Sequence, residues 1–328
     1  MRLFSRKPKG GADVRKKYLY SNKGAVGMKI VSDPPSEKAG LDVIFVHGLT
    51  GHREKTWTHQ NNTFWPRDLL AKDFPQARIM TYGYDIDIDE FSAAAFLNDL
   101  NDLGQDMGYS LVSQRNECPS RPILFIAHGV GGLVCQQTLI LSNNIDGLWQ
   151  ISSSCMGVIF MGTPHGGSAL ALYGEKLAKC MDIVPSANWE ISGPCGLGSD
   201  YLHRIEDDFG AVLHTDSPPK IFYFYEVIVM NNEVGKIVEG QAAVLREYDN
   251  GRINANHFDM VKFGGNSDEG YFSVRSVIMG WLQEPHREPS ANISPAGDNG
   301  GRSTPPWLWG LEMQVPITFE GPSMRNMS

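Results

Sequence analysis

The chemistry this chain could carry centres on the peptide Phe125-Ile126-Ala127-His128-Gly129-Val130-Gly131-Gly132. A turn that projects a nucleophile into a pocket needs an apolar strand running straight into a helix. It also needs small residues two before and two after the nucleophile. Pro122 to Ile126 supplies the strand, and Ala127 and Gly131 are the small neighbours. Leu133-Val134-Cys135 with Leu139-Ile140-Leu141 gives the following helix its apolar positions. At the tip, where such an elbow ordinarily carries serine, stands Gly129. The turn has the shape for acyl transfer and lacks the hydroxyl.

The other parts of an acyl-transfer site are present in the usual order. Val43-Ile44-Phe45-Val46 is a buried-strand pattern followed by His47-Gly48-Leu49, a turn that can aim one backbone donor at an oxyanion; the residue after the nucleophile, Val130, gives the second. The base is expected late in the chain, which selects His257 in Asn254-Ala255-Asn256-His257-Phe258-Asp259-Met260. His47, His128 and His165 are read as scaffold histidines of the turns they sit in. Two glutamates compete for the acid that orients the imidazole. Glu226 follows the apolar strand Ile221-Phe222-Tyr223-Phe224-Tyr225 and is preferred over Glu239, which lies on a glycine-flanked loop, because a strand end fixes a carboxylate better.

Without an Oγ at position 129, His257 has no hydroxyl to activate and no acyl-enzyme can form. Loss of a triad nucleophile costs on the order of 10⁶-fold in kcat. Ser168 belongs to a different turn and Cys135 to the interior of the elbow helix, so neither replaces it. Three readings follow: a natural inactive domain, which is preferred; an active serine ester or lipid hydrolase whose serine at 129 was substituted; or slow hydrolysis with His257 activating water directly.

These residues must be positioned by alternating strands and helices. Apolar runs predict strands at Met28–Val31, Val43–Val46, Arg78–Tyr82, Ile123–Ala127, Gly157–Met161 and Ile221–Tyr225. Helices are predicted from Trp65-Pro66, over Phe91–Leu103, Gly131–Leu141 and Ala169–Met181, and over Tyr271–Leu282. The pattern is that of an α/β fold with a mostly parallel sheet flanked by helices. In 328 residues it implies one large domain, 27–284, with residues 162–220 as a lid-like or surface insertion. A basic arm, 1–26, precedes it and a Pro/Gly/Ser-rich tail, 285–328, follows.

The net charge of −8 argues against a nucleic-acid partner. The first two dozen residues are nonetheless basic, with Arg2, Arg6, Lys7, Lys9, Arg15, Lys16, Lys17 and Lys23. They read as a solvated arm, with a mitochondrial presequence or contact with an anionic membrane surface as alternatives. No run approaches the ~20 apolar residues that span a bilayer, and a cytoplasmic protein is expected. The five cysteines lack CxxC spacing and are expected to be free thiols, most of them buried; no metal or cofactor is implied.

Taken in order, Asp42–Leu49 with Gly51 and Trp57, Phe64-Trp65-Pro66-Arg67-Asp68-Leu69-Leu70, Arg78 to Tyr84, Ala127–Cys135, Phe160 to Ser168, Phe224-Tyr225-Glu226 and Asn256 to Met260 resemble the serine active-site containing protein family of α/β-hydrolases. The match covers about Gly27 to Leu282. N-terminal hydrolase domains of fungal NOD-like receptors are similar. The resemblance implies the α/β-hydrolase fold and lipase- or esterase-like chemistry on an ester or lipid-like small molecule. It also implies a role in phospholipid metabolism, or in incompatibility and immune signalling with a protein partner. Gly129 is where the chain departs from the family pattern.

Overall fold

A computed structural model describes residues 25–35, 37–86, 93–165, 167–181, 197–245 and 248–283. The basic arm as far as residue 24, the stretch 182–196 with Cys195, and the tail 285–328 lie outside the described residues. Ala25, placed in the arm by the sequence reading, is buried: its carbonyl oxygen lies where a side chain on Gly83 would otherwise stand.

Seven strands form one sheet in the order β1-β3-β2-β4-β5-β6-β7. They are β1 (Gly27–Ser32), β2 (Leu41–Val46), β3 (Ala77–Gly83), β4 (Ile123–His128), β5 (Cys155–Met161), β6 (Lys220–Glu226) and β7 (Asp249–Ile253). Only β1 runs antiparallel to its neighbour. Among the described residues six helices occur in chain order: α1 (Ala93–Gln114), α2 (Gly131–Asn144), α3 (Trp149–Ser154), α4 (Gly167–Met181), α5 (Leu197–Leu213) and α6 (Glu269–Gln283). Short helical turns lie at Lys55–Trp57 and Pro66–Asp73.

The central strands are buried at every position because both faces are covered. Along β2, Ile44 and Val46 enter one core with residues of α1, α2, α4 and α5. Val43 and Phe45 enter the other with Trp57, Trp65 and α6. Successive side chains point to opposite faces, so burial on both removes the polar alternation of a half-exposed strand.

From β2 the chain crosses outward to β3, then returns to lay β4 on the other side of β2. In such sheets the crevice beyond the carboxyl ends of the two strands flanking this reversal is where ligands bind. His47-Gly48-Leu49 and His128-Gly129-Val130 leave the sheet there. At the opposite end, buried Asp42 at the start of β2 receives Arg78 (2.7 and 2.9 Å), Arg121 (3.1 Å) and Arg115. This cluster fastens β2, β3 and the turn after α1.

Several expectations need correction. β7 was not foreseen, because Asp249-Asn250-Gly251 carries no apolar or β-branched signal; the strand exists by pairing with β6. α1 continues well past Leu103, through Gly104 and Gly108, to Gln114. Gly104 lies so close to α2 that an added Cβ would meet Gln137 at 2.8 Å, so helix contact explains it. α5 and α3 were also missed. The connection 162–220 therefore holds two helices rather than one.

Candidate active site

The elbow at the end of β4 closes as steric demand requires. Gly129 has φ +54°, a conformation that strains an L-residue, and its N–H donates to Met161 O at 3.0 Å. A Cβ on Gly131 would stand 2.3 Å from His47 O; glycine there lets α2 start directly against the β2 turn. Val130 is the N-cap of α2, and a helix does not itself use the N–H groups of its first turn.

His257 follows β7 on a turn held by Asn256, whose Oδ1 accepts from Phe258 N–H (3.1 Å) and Asp259 N–H (3.0 Å). Its ring is fully buried. Nδ1 lies 2.6 Å from Glu226 Oε2. A carboxylate oxygen accepts, so Nδ1–H donates. The ring's Nε2 has no hydrogen-bond partner. It faces Gly129, where a Cβ would stand 3.5 Å away.

Glu226, at the end of β6, is also fully buried. Its second oxygen, Oε1, accepts from the N–H groups of Ile237 and Val238 (3.3 Å for the latter). Three donors thus satisfy one buried carboxylate, and the loop 235–239 is tied to the acid. Glu239 is not brought to the ring: its exposed carboxylate pairs with Lys176 of α4 at 3.0 Å.

Two residues outside the sequence reading of the site complete it. His128 was assigned to scaffold alone, yet its ring lies 4.6 Å from that of His257. Burial, then the neighbouring His257, holds its pKa well below the usual value. A neutral ring that meets a carbonyl must donate, so Nε2–H of His128 donates to His257 O at 2.9 Å and fixes the backbone of the base. Tyr173 of α4 is the second. It is 2 % exposed, packs edge-on against His257 with ring centroids 5.5 Å apart, and its hydroxyl would stand 3.0 Å from a Cβ on Gly129. Burial, then the charge of Glu226, pushes the pKa of that hydroxyl upward and keeps it neutral. Position 173 carried no signal in the sequence beyond lying in a helical stretch.

His47 and His165 are buried away from the reaction centre. His47 stacks on Tyr84 with centroids 4.4 Å apart, and burial lowers its pKa to about 4. His165 sits edge-on to Phe160 and Tyr223. Cys135 is buried in α2, where burial raises its thiol pKa well above the ordinary range; Cys118, Cys155 and Cys180 are likewise free. The Ser168 side chain lies outside the described residues. Among the described residues no cluster of three His, Cys, Asp or Glu could hold a metal ion, and no helix is long and apolar enough to cross a membrane.

A cavity of about 10 Å³ is lined by Gly48, Leu49, Thr50, His128 and Tyr173 among others, space for a single water at most. An open groove of about 860 Å³ lies apart from it, beside Tyr225, Glu239 and Asn250.

The chain is similar to Protein SERAC1 from Bos taurus, with 30% identity over 256 residues covering 69% of this chain and 37% of that protein. It is 28% identical over 190 residues to Protein SERAC1 from Homo sapiens, covering 53% and 28%. The chain thus spans roughly a third of the length of these relatives. Among solved structures, the mature Bacillus licheniformis lipase BlEst2 superposes with a TM-score of 0.50 at 16% identity, covering 77% of this chain and 97% of that one. At that identity the likeness shows the fold alone. No family model matches.

Proposed function

The chain belongs to the SERAC-like, lipase-like α/β-hydrolases, and from that premise we propose that it is a hydrolase-fold domain that binds an ester- or lipid-like carbonyl without forming an acyl-enzyme. One observation carries the reading: Gly129 stands where a nucleophile would, opposite an unpartnered and correctly oriented His257 Nε2. The contact between the base His257 and its acid Glu226 supports this reading, in which Leu49 and Val130 serve as the oxyanion donors and only the attacking atom is lacking. Binding to the oxyanion donors does not need that atom; covalent catalysis does. On this reading the domain serves binding or signalling rather than turnover.

A second reading has its own support. A Cβ at position 129 would lie within 3.5 Å of His257 Nε2, the spacing a serine would use, which favours descent from an active serine hydrolase of esters or lipids. A fluorophosphonate probe tests both. The chain as it stands should form no adduct, and Gly129→Ser should form one at position 129. Stoichiometric labelling of the unaltered chain would refute the non-covalent reading.

A further inference from the structure

One peptide group of the loop 235–239 stands between two opposite charges. Its N–H, that of Ile237, donates to Oε1 of the buried Glu226. Its carbonyl, that of Lys236, accepts from the ammonium of Lys176 at 2.6 Å, across 60 residues of sequence. A trans peptide points its N–H and C=O in opposite directions within one plane. The carboxylate and the cation therefore sit at the two ends of one peptide dipole, each at the end that attracts it. A peptide whose carbonyl is bound by a cation is polarised into a stronger donor. The ammonium also fixes which way the peptide faces. Turned over, it would aim its oxygen at Glu226 and leave a buried carboxylate short of one donor, which is costly.

The turns on either side of this peptide stop short of it. Before it, Asn231 Oδ1 accepts from the N–H groups of Glu233 and Val234 (2.9 and 2.8 Å), and Asn231 O accepts from Gly235 N–H at 3.0 Å. After it, Glu239 O accepts from the N–H groups of Ala242 and Ala243 (2.8 and 3.0 Å). Lys176 reaches the gap from α4, a helix seated by the buried Leu170, Leu177, Cys180 and Met181. We propose that Lys176 is a positioning residue for the acid. Through the Lys236–Ile237 peptide it holds Glu226, and through Glu226 it holds the Nδ1–H of His257. This rests on the proposed function's assignment of Glu226 as the acid of the base. The other partner of the ammonium, Glu239 at 3.0 Å, lies at the exposed rim, and the bond to Lys236 O does not require it.

Three variants of the full chain test this. Lys176→Met removes the ammonium and keeps an unbranched side chain, Lys176→Arg keeps a cation and its donors, and Glu239→Gln removes only the charge at the rim. Two NMR signals are read in each: amide exchange of Ile237, and the Nδ1–H resonance of His257, which a merely structural role of Lys176 would not move. Lys176→Met should quicken Ile237 exchange at least tenfold and shift the Nδ1–H resonance, while exchange of Val46 in β2 is unchanged. Lys176→Arg should preserve both signals, and so should Glu239→Gln. Fluorophosphonate labelling of Gly129→Ser/Lys176→Met should be at least fivefold slower than that of Gly129→Ser. An unmoved Nδ1–H resonance in Lys176→Met, equal changes in Lys176→Met and Glu239→Gln, or equal non-zero labelling rates would overturn the proposal. If Gly129→Ser is not labelled at all, the proposed function has failed instead, and the two NMR signals alone decide for or against Lys176.

Discussion

A Cβ placed on Gly129 would stand 3.5 Å from Nε2 of His257, the ring atom left free when Nδ1 donates to Glu226. The glycine and the histidine come from strands three apart in the sheet, β4 and β7. Their juxtaposition is a property of the fold rather than of a local turn. Everything expected of Gly129→Ser follows from it.

That substitution should lower stability while it supplies the hydroxyl. At φ +54° an L-residue carries about 1–2 kcal/mol of strain that glycine largely avoids, and the Tyr173 hydroxyl at 3.0 Å must give way slightly. For a domain of this size the expected drop in Tm is on the order of 2–8 °C. An unchanged Tm would mean that the elbow relaxes out of the left-handed conformation.

The roles of the two glutamates separate in the serine background. Gly129→Ser/Glu226→Gln should lose on the order of 10³–10⁴-fold in turnover of short activated esters, because the amide no longer enforces the Nδ1–H tautomer or offsets the imidazolium charge. Gly129→Ser/Glu239→Gln should retain turnover, since that carboxylate touches Lys176 instead. Equal losses in both would assign the acid wrongly.

Acid should destabilise the fold through its buried histidines. His47, His128 and His165 are fully buried, and burial lowers their pKa values, to about 4 for His47 and about 3 for His165. Each binds a proton in the unfolded chain below about pH 6.5 but not in the folded one. Stability therefore falls as pH drops from about 6.5 towards 4, by about 1.4 kcal/mol per pH unit for each histidine. The urea midpoint should decline through that window. A flat profile would show that these rings are protonated or exposed in the native state.

Asp42 should be among the most sensitive positions far from the site. Three guanidinium groups converge on its buried carboxylate, and Asp42→Ala would leave them uncompensated at a cost of about 3–5 kcal/mol. Urea denaturation measures this directly. A loss below about 1 kcal/mol would mean that the backbone carbonyls bound by Arg78 and Arg115 suffice.

Much of this architecture was legible in the sequence because burial on both faces writes a continuous apolar run. Val43–Val46 and Ile123–Ala127 announce central strands, and Gly129 and Gly131 mark the elbow between them. Glu226 could be preferred over Glu239 from its place at a strand end alone. β7 was not legible, since Asp249-Asn250-Gly251 is a strand only by virtue of its partner β6. The helix α5 within 162–220 was missed although Ile205, Phe209 and Val212 recur at helical spacing and are buried; the polar residues between them masked the stripe. Tyr173 was invisible for a different reason: an aromatic residue on a helix normally reads as core, and only the three-dimensional approach of α4 to Gly129 reveals its hydroxyl in the site.

On the proposed function, one missing oxygen separates this site from a working serine hydrolase. Intact-mass measurement after fluorophosphonate treatment tests it most directly, on the unaltered chain, Gly129→Ser and Gly129→Ser/His257→Ala. No adduct is expected on the first, one adduct per chain at position 129 on the second, and labelling slowed by orders of magnitude on the third. A folded Gly129→Ser protein that stays unlabelled would contradict the proposed function.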